Sequence, residues 1–345
     1  MAVRLRFSTL AALLLLAFPA RAETPPEATV TLIAVGDVML SRGVARQIKE
    51  RKDLHFPFRK ISDYLKSADI TFGNLECPIT KGPEVKSGTM VFHADPGVEV
   101  ALKEAGFSIL SLANNHLPDY GAKGVLDTVA LLDAVDITHT GAGKDLDEAE
   151  KPALITRNGL RFAFLAYNDQ DVVPKRYGAA KNRPGTNIMD EEKVTKAVKA
   201  ARQQADFVIV SMHSGWEYRK PNPHQASFAK AAIDAGAELV IGHHPHVVQR
   251  IERYKGKYIL YSLGNFVFDQ TWMPSVKQGM GAKLTFTKQG VQNAQFTPVL
   301  IEHAARPRVI TEPKLREKVL RKLEWPLDAE GNALPEQPIA ETEKR

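Results

Sequence analysis

The chain has 345 residues, enough for one large domain or two small ones with a sizeable core. Its 44% hydrophobic and 25% charged residues, with 23 Gly and 21 Pro, exclude a disordered, collagenous or coiled-coil chain, so function must sit in a local site. The formal charge of +6 is accompanied by no compact basic run and points to no nucleic-acid partner.

At the start of the chain, Arg4 and Arg6 precede the apolar run Leu10–Phe18, and Ala20-Arg21-Ala22 follows it. This order predicts a secretory signal peptide over residues 1–22, cleaved near Ala22 to leave a chain beginning at Glu23. The run is shorter than the roughly 20 apolar residues of a bilayer span. The expectation is an exported protein, periplasmic or extracellular, soluble and without a transmembrane anchor after cleavage. Cleavage removes Arg4, Arg6 and Arg21, so 46 basic residues become 43 against 40 acidic ones and the charge falls from +6 to +3. The single cysteine, Cys77, forms no internal disulfide and reads as a small buried filler.

Apolar, β-branched runs then recur at Val30–Val35, Ala68–Phe72, Phe107–Leu112, Phe162–Tyr167, Phe207–Met212, Leu239–Ile241 and Tyr258–Leu263, and read as buried strands. Helical patterns lie among them at Pro57–Lys66, Val98–Ala105, Ala122–Ala134, Glu191–Gln204 and Gln225–Ala235, an alternation of the βα type. Ala282–Lys288 and Ala294–Ile301 flank Gln289-Gly290 and predict an antiparallel hairpin. The expected domain covers 23–310. Residues 311–345 are expected to hold a helix over Leu315–Leu323 and a frayed tail over Asp328–Arg345.

The polar residues that end these strands are unusual in kind. They are Gly36-Asp37, Asn74-Leu75-Glu76, Asn114-Asn115-His116, His213-Ser214-Gly215-Trp216-Glu217 and Gly242-His243-His244-Pro245-His246. In an open α/β sheet the carboxyl ends of parallel strands share one rim, so groups distant in sequence can converge there. Asp, Glu, Asn and His together form an oxygen and nitrogen donor set suited to Mn, Zn or Fe, and the lack of thiolates argues against a structural zinc site. Taken singly, Asp37 and Asn74 read as turn residues, and His213 as a hydrogen-bonded core histidine. Three imidazoles in the four residues His243–His246 have little structural use and favour metal binding. His55, His93, His139, His224 and His303 lack such company; of these, His93 and His224 are the two that can touch substrate.

Gly36-Asp37-Val38-Met39, Asn74-Leu75-Glu76, Ser111–His116 with Asp119-Tyr120-Gly121, His213–Tyr218, Gly242–His246 and Tyr261–Phe266 resemble, as an ordered set, the motifs of the CapA/PgsA-type capsule-synthesis proteins over about Thr31 to Phe268. The resemblance implies a relative of the calcineurin-like metallophosphoesterases: a four-layer α/β/β/α sandwich of two mixed sheets. It further implies work on poly-γ-glutamate or another anionic exopolymer, in its synthesis or export, beside membrane-bound capsule-synthesis proteins.

Carried over residue by residue, the resemblance assigns Asp37, Glu76, Asn115, His213, His244 and His246 to one or two divalent metal ions. His116 and Asn115 become catalytic, with His116 as proton donor or charge stabiliser, and Asn74, His243, Glu217 and Asn265 support the ligands or touch substrate. Met39 stands where the wider phosphoesterases have a metal-binding histidine. A thioether has no affinity for a hard cation, so the site holds one metal or recruits a ligand from elsewhere. Two functions follow: metal-dependent hydrolysis of a phosphate-ester-like or polymeric substrate, or non-catalytic binding of polymer or partner in a cell-envelope assembly.

Overall fold

The computed structural model describes residues 28–83 and 90–335, and the signal peptide expected over 1–22 lies outside them. Along the chain come β1 (Val30–Val38), α1 (Arg42–Arg51), α2 (Ser62–Leu65), β2 (Ile70–Leu75), α3 (Val98–Ala105), β3 (Ile109–Ser111), α4 (Gly121–Ala134) and β4 (Thr138–Thr140). Then follow β5 (Ala142–Gly143), α5 (Leu146–Glu150), β6 (Ala153–Arg157), β7 (Leu160–Asn168), β8 (Gly185–Thr186), α6 (Glu191–Ala201), β9 (Phe207–His213), α7 (Pro223–Asp234) and β10 (Leu239–His243). The remainder is β11 (Ile251–Tyr254), β12 (Lys257–Leu260), β13 (Asn265–Val267), β14 (Gln278–Thr287), β15 (Gly290–Glu302), β16 (Arg306–Val309) and α8 (Pro313–Leu320).

One sheet has the order β16-β15-β14-β1-β2-β3-β4 with β13 beside β1; a second has β11-β12-β10-β9-β7-β6; β5 and β8 form a small ribbon. Both large sheets are mixed: β1 to β4 run parallel, as do β7, β9, β10 and β12, while β14–β16, β6 and β11 pair antiparallel.

Period-two side-chain alternation sorts the strand residues into layers. Leu32 and Ala34 of β1, Phe162 and Phe164 of β7, Ile209 of β9 and Ile241 of β10 share one buried cluster between the sheets. The intervening Ile33 and Val35 pack outward with Val44, Leu102 and Leu132 from α1, α3 and α4. On the opposite side Ala163, Leu165, Val208 and Val210 meet Val194, Val198 and Phe228 from α6 and α7. Three apolar layers thus separate four layers of structure, α/β/β/α. Because both faces of the central strands are covered, they read in sequence as continuous apolar runs. Phe72 and Phe164 stack across the sheet interface, centroids 5.7 Å apart at 10°, and each buried phenyl contributes about 1.5–3 kcal/mol.

Two local expectations are corrected, and one helix stands where the apolar pattern predicts none. The single helix expected over Pro57–Lys66 is a 3-10 turn at Phe56–Phe58 followed by the one-turn α2, because Phe56, Phe58 and Ile61 all turn into the core. Helix α1 buries a narrow stripe at Gly43, Val44 and Ile48 among mostly charged and polar residues, which hid it from the apolar pattern. Residues 328–335 do not fray. The Ala333 N–H donates to Ala294 O and the Phe296 N–H to Gly331 O, both at 2.8 Å, so the segment satisfies backbone groups of β15 that composition does not reveal. Residues 336–345 lie outside the described residues.

Candidate metal centre

The carboxyl ends of the parallel strands in both sheets meet at one rim. Asp37 on β1 is in register with Asn74 on β2 and with Asn265 on β13. On the facing sheet His213 and His243 end β9 and β10 side by side. The strands therefore run further than their apolar cores suggested, and Asp37, Asn74, His213 and His243 sit on strands rather than in loops. Gly36 is required here: a Cβ would lie 1.7 Å from Gly264 O, and the backbone approach coincides with a bulge that shifts the β1 register between Ala34 and Asp37. His244 and His246 adopt φ of 96° and 58°, a left-handed backbone uncommon for non-glycine residues. Both rings are thereby presented to the rim.

Hydrogen bonds fix the orientation of the donors. Asn74 donates its amide to Asp37 Oδ1 at 2.9 Å and approaches His213 Nδ1 at 3.3 Å, so that nitrogen accepts. His213 Nε2 then donates to Asn115 Oδ1 at 2.8 Å. Asn265 spends both amide hydrogens on Gln270 Oε1 and Val276 O, which leaves its oxygen to accept from His246 Nδ1 at 2.9 Å. His246 Nε2 consequently carries the lone pair, and it lies 3.8 Å from Glu76 Oε1. His243 Nδ1 and His246 Nδ1 stand 3.3 and 3.6 Å from the two oxygens of Asp37. His213 and His244 pack with ring centroids 4.9 Å apart.

Two carboxyls in the same site are driven in opposite directions. Burial pushes Glu76 well above the usual carboxylate range, reinforced by the Asp37 and Glu217 charges. Burial acts the same way on Asp37, but its contacts to His243 and His246 outweigh this and hold it well below. Burial also depresses His213 well below the ordinary imidazole value and lowers His244 to about 3.

A cation fits these residues. Both oxygens of Glu76, both ring nitrogens of His243 and Nδ1 of His244 are buried without a hydrogen-bond partner among the described residues. Asp37, Glu76 and His213 each offer a ligand atom, all within 4.8 Å of one another. Burial without a partner makes the charged form of Glu76 unfavourable and holds it protonated, a cost that a coordinated ion removes. The oxygen and imidazole donors suit Mn, Zn or Fe.

His116 sits beside this cluster, with Nδ1 2.8 Å from Oδ2 of the buried Asp119 and its ring stacked on Phe92 at 3.7 Å. Met39 is fully buried in the outer core and its sulfur accepts from the Ser41 N–H at 3.0 Å, so this position serves packing. Glu217 is exposed at the mouth next to Tyr218, whose phenol burial and Glu217 raise. The Tyr218 ring is 6.2 Å from His246 and 6.0 Å from Trp272. His55 and His139 pair with Glu104 and Asp133 away from the rim, and His93 bonds Tyr120. His224 pairs with Asp169, a carboxylate that also accepts from Ser214.

Two residues that stand in the quoted motifs, but to which the sequence assigned no role, support the site. Asn114 donates to Asn74 Oδ1 and Leu75 O while its oxygen accepts from the His116 and Leu117 N–H groups, so it shapes the whole turn. Asp119 stands three residues after His116, and that spacing on a 3-10 turn was the available signal.

Fold and rim together define an α/β sandwich protein with a buried histidine and carboxylate centre that can hold a metal. The model of the bacterial capsule synthesis protein PGA_cap matches residues 31–270, and the chain belongs to that family. It is 36% identical over 303 residues to the capsule biosynthesis protein CapA of Bacillus anthracis, covering 85% of this chain and 72% of that protein. It is 35% identical over 313 residues to the PGA biosynthesis protein CapA of Bacillus subtilis, covering 88% and 81%. Among solved structures, the sulfate thiohydrolase SoxB of Thermus thermophilus overlays weakly, with a TM-score of 0.46 and 13% identity over 84% of this chain and 57% of that one. Among the described residues, no helix is long and apolar enough to cross a membrane.

Proposed function

We propose that this protein is an exported, metal-dependent hydrolase of capsule-polymer synthesis, acting on poly-γ-glutamate or another anionic exopolymer beside membrane-bound capsule-synthesis proteins. The observation that carries the reading is Glu76, a carboxyl buried with neither oxygen hydrogen-bonded, next to Asp37 and an array of imidazoles. Family membership supports the capsule setting, and the charged and apolar order of residues 1–22 supports export.

Asp37, Glu76, Asn115, His213, His244 and His246 would hold one or two ions. When bound, a divalent ion supplies Lewis-acid polarisation of the scissile ester or amide and a lowered water pKa. The chain's own groups do the rest. Asn74 and Asn265 fix the orientation of Asp37 and the tautomer of His246. Water adds to the scissile centre as its oxygen loses one proton to solvent, the bond to the leaving oxygen or nitrogen breaks, and His116 delivers the proton that the leaving atom takes up and is re-protonated from solvent. Asp119 holds the opposite ring nitrogen and steadies the imidazolium.

Elemental analysis of the purified protein should find Mn, Zn or Fe at one or two equivalents, and Glu76→Gln should reduce it severalfold. Metal-dependent release of products from an anionic polymer or a phosphate ester should disappear in His116→Gln with metal content retained. Metal-free protein with full activity overturns the reading. Met39 in the core favours a second reading, in which the centre holds polymer or a partner protein without turnover; polymer binding that survives metal removal, with no hydrolysis of any substrate offered, establishes it.

A further inference from the structure

A basic groove opens beside the metal centre and shares Tyr218 with its mouth. It has a volume of about 290 Å³ and four cationic side chains on its walls, Arg219, Lys220, Arg250 and Lys322, against one acid, Glu324. Two of the four cations are neutralised locally: Lys220 pairs with Glu324 at 3.0 Å and Arg250 with Glu252 at 3.0 Å. Among the described residues, Arg219 and Lys322 have no carboxylate within 4 Å. Lys322 is half-buried on the turn after α8, and its ammonium donates only to the neutral Gln278 Oε1, at 2.7 Å. Burial, aided by Lys318, lowers it to about 8. A half-buried ammonium facing a groove without a counter-ion is unfavourable until an anion enters.

The packing of the C-terminal segment creates this arrangement. Leu323 is buried in the layer between the sheets, which fixes the turn Arg321–Leu323 and brings Lys322 to the lining of the groove that also holds Tyr218 and Arg219. The Arg219 backbone is held in turn, because its carbonyl accepts from Gln249 Nε2 at 2.8 Å. Both unpaired cations are thus mounted on well-anchored backbone.

We infer that this groove is an anion subsite, in which Arg219 and Lys322 hold an acidic unit of a chain molecule while a neighbouring unit lies at the metal centre. The inference rests on the proposed reading of that centre and adds to it the residues that hold a second acidic unit of the chain beside the one at the metal centre. Carboxylate and phosphate chains offer the same charge to these cations, and the experiment separates them.

Binding to the full-length protein is measured by calorimetry with a γ-linked glutamate oligomer, with polyphosphate and with neutral polyglutamine as probes. The expected result is tight, salt-sensitive binding of one of the two polyanions and none of polyglutamine; whichever binds more tightly names the anion. Arg219→Ala and Lys322→Gln each weaken that binding about tenfold, and Glu324→Gln, which frees Lys220, strengthens it about two- to threefold. Metal content stays at the wild-type value in all three. Polyanion affinity that is unchanged in the Arg219→Ala, Lys322→Gln double variant overturns the subsite. The gain in Glu324→Gln keeps the test independent of any loss of folding. The hydrolase reading fails separately, on wild-type protein that lacks metal or turnover while these variants still lose polyanion binding.

Discussion

The same strands build an apolar layer and a polar rim within a few residues of each other. Phe72 of β2 and Phe164 of β7 stack between the sheets, whereas Asn74 and Asn168, further along those strands, are buried among polar groups at the rim. On β9 and β10 the change is from Ile209 and Ile241 to His213 and His243. In the layer every side chain is satisfied by packing. At the rim, Glu76, His243 and His244 keep buried atoms with no hydrogen-bond partner among the described residues. The layer holds the fold together, and the rim is tolerated because the layer is strong and because its donors can take up a cation.

The largest expected effect belongs to the layer. Phe164→Ala should lower the free energy of unfolding by about 3–5 kcal/mol in a denaturant titration, while the folded fraction keeps its full metal content. A loss of metal binding in proportion to the lost stability would show that rim and layer are not separable.

At the rim, metal added at about 100 times its dissociation constant should stabilise the wild type by about 2.7 kcal/mol, read as a shift of the denaturant midpoint. Glu76→Gln should abolish that gain yet leave the metal-free protein as stable as the wild type or more so. The sign follows from the raised Glu76 value: the metal-free wild type loses stability as pH rises above the usual 4.5, and the neutral amide does not.

His244 titrates in the other sense. Its ordinary value of 6.5 is lowered to about 3, so between those values the unfolded chain binds more protons than the folded one. The metal-free wild type should therefore be destabilised as pH falls from 6.5 towards 3, by up to about 1.4 kcal/mol per pH unit relative to His244→Asn. Asparagine suits the positive φ at that position, so the difference reports the imidazole. Parallel pH profiles for the two proteins would remove His244 from the buried cluster.

The smallest effect is expected at the antiparallel edge, where Glu302 contacts Lys60, Arg306 and Arg308 with its side chain about one quarter exposed. Arg308, opposed by partial burial and aided by Lys60, holds Glu302 at about 2. Its stabilisation is present above pH 4.5 and lost as pH falls towards 2, and Glu302→Gln should cost less than about 1 kcal/mol at neutral pH. At this edge both Glu302 oxygens meet a cation, whereas at the rim neither Glu76 oxygen has a hydrogen-bond partner among the described residues.

The family was legible in the sequence because its motifs are short, ordered and rich in residues with few structural uses. The βα alternation, the C-terminal hairpin, the convergence of Asp37, Glu76, His213, His244 and His246, and the buried Cys77 were legible for the same physical reason, since apolar strands with both faces covered must end where polar groups can gather. Helix α1 and the docking of residues 328–335 were not legible, because they depend on a narrow apolar stripe and on backbone pairing along β15.

By itself, then, the sequence determined which residue types stand at the strand ends and hence the chemistry available there. Only the tertiary structure decided their directions and partners: the amide of Asn265 that sets the His246 tautomer, the Asp119 behind His116, the backbone contact that demands Gly36, and Lys322 brought, without a carboxylate partner, to the same groove as Arg219. Periodicity along a strand reports burial of each side chain, whereas protonation and ligand geometry depend on atoms contributed by distant segments, and no local pattern encodes those distances.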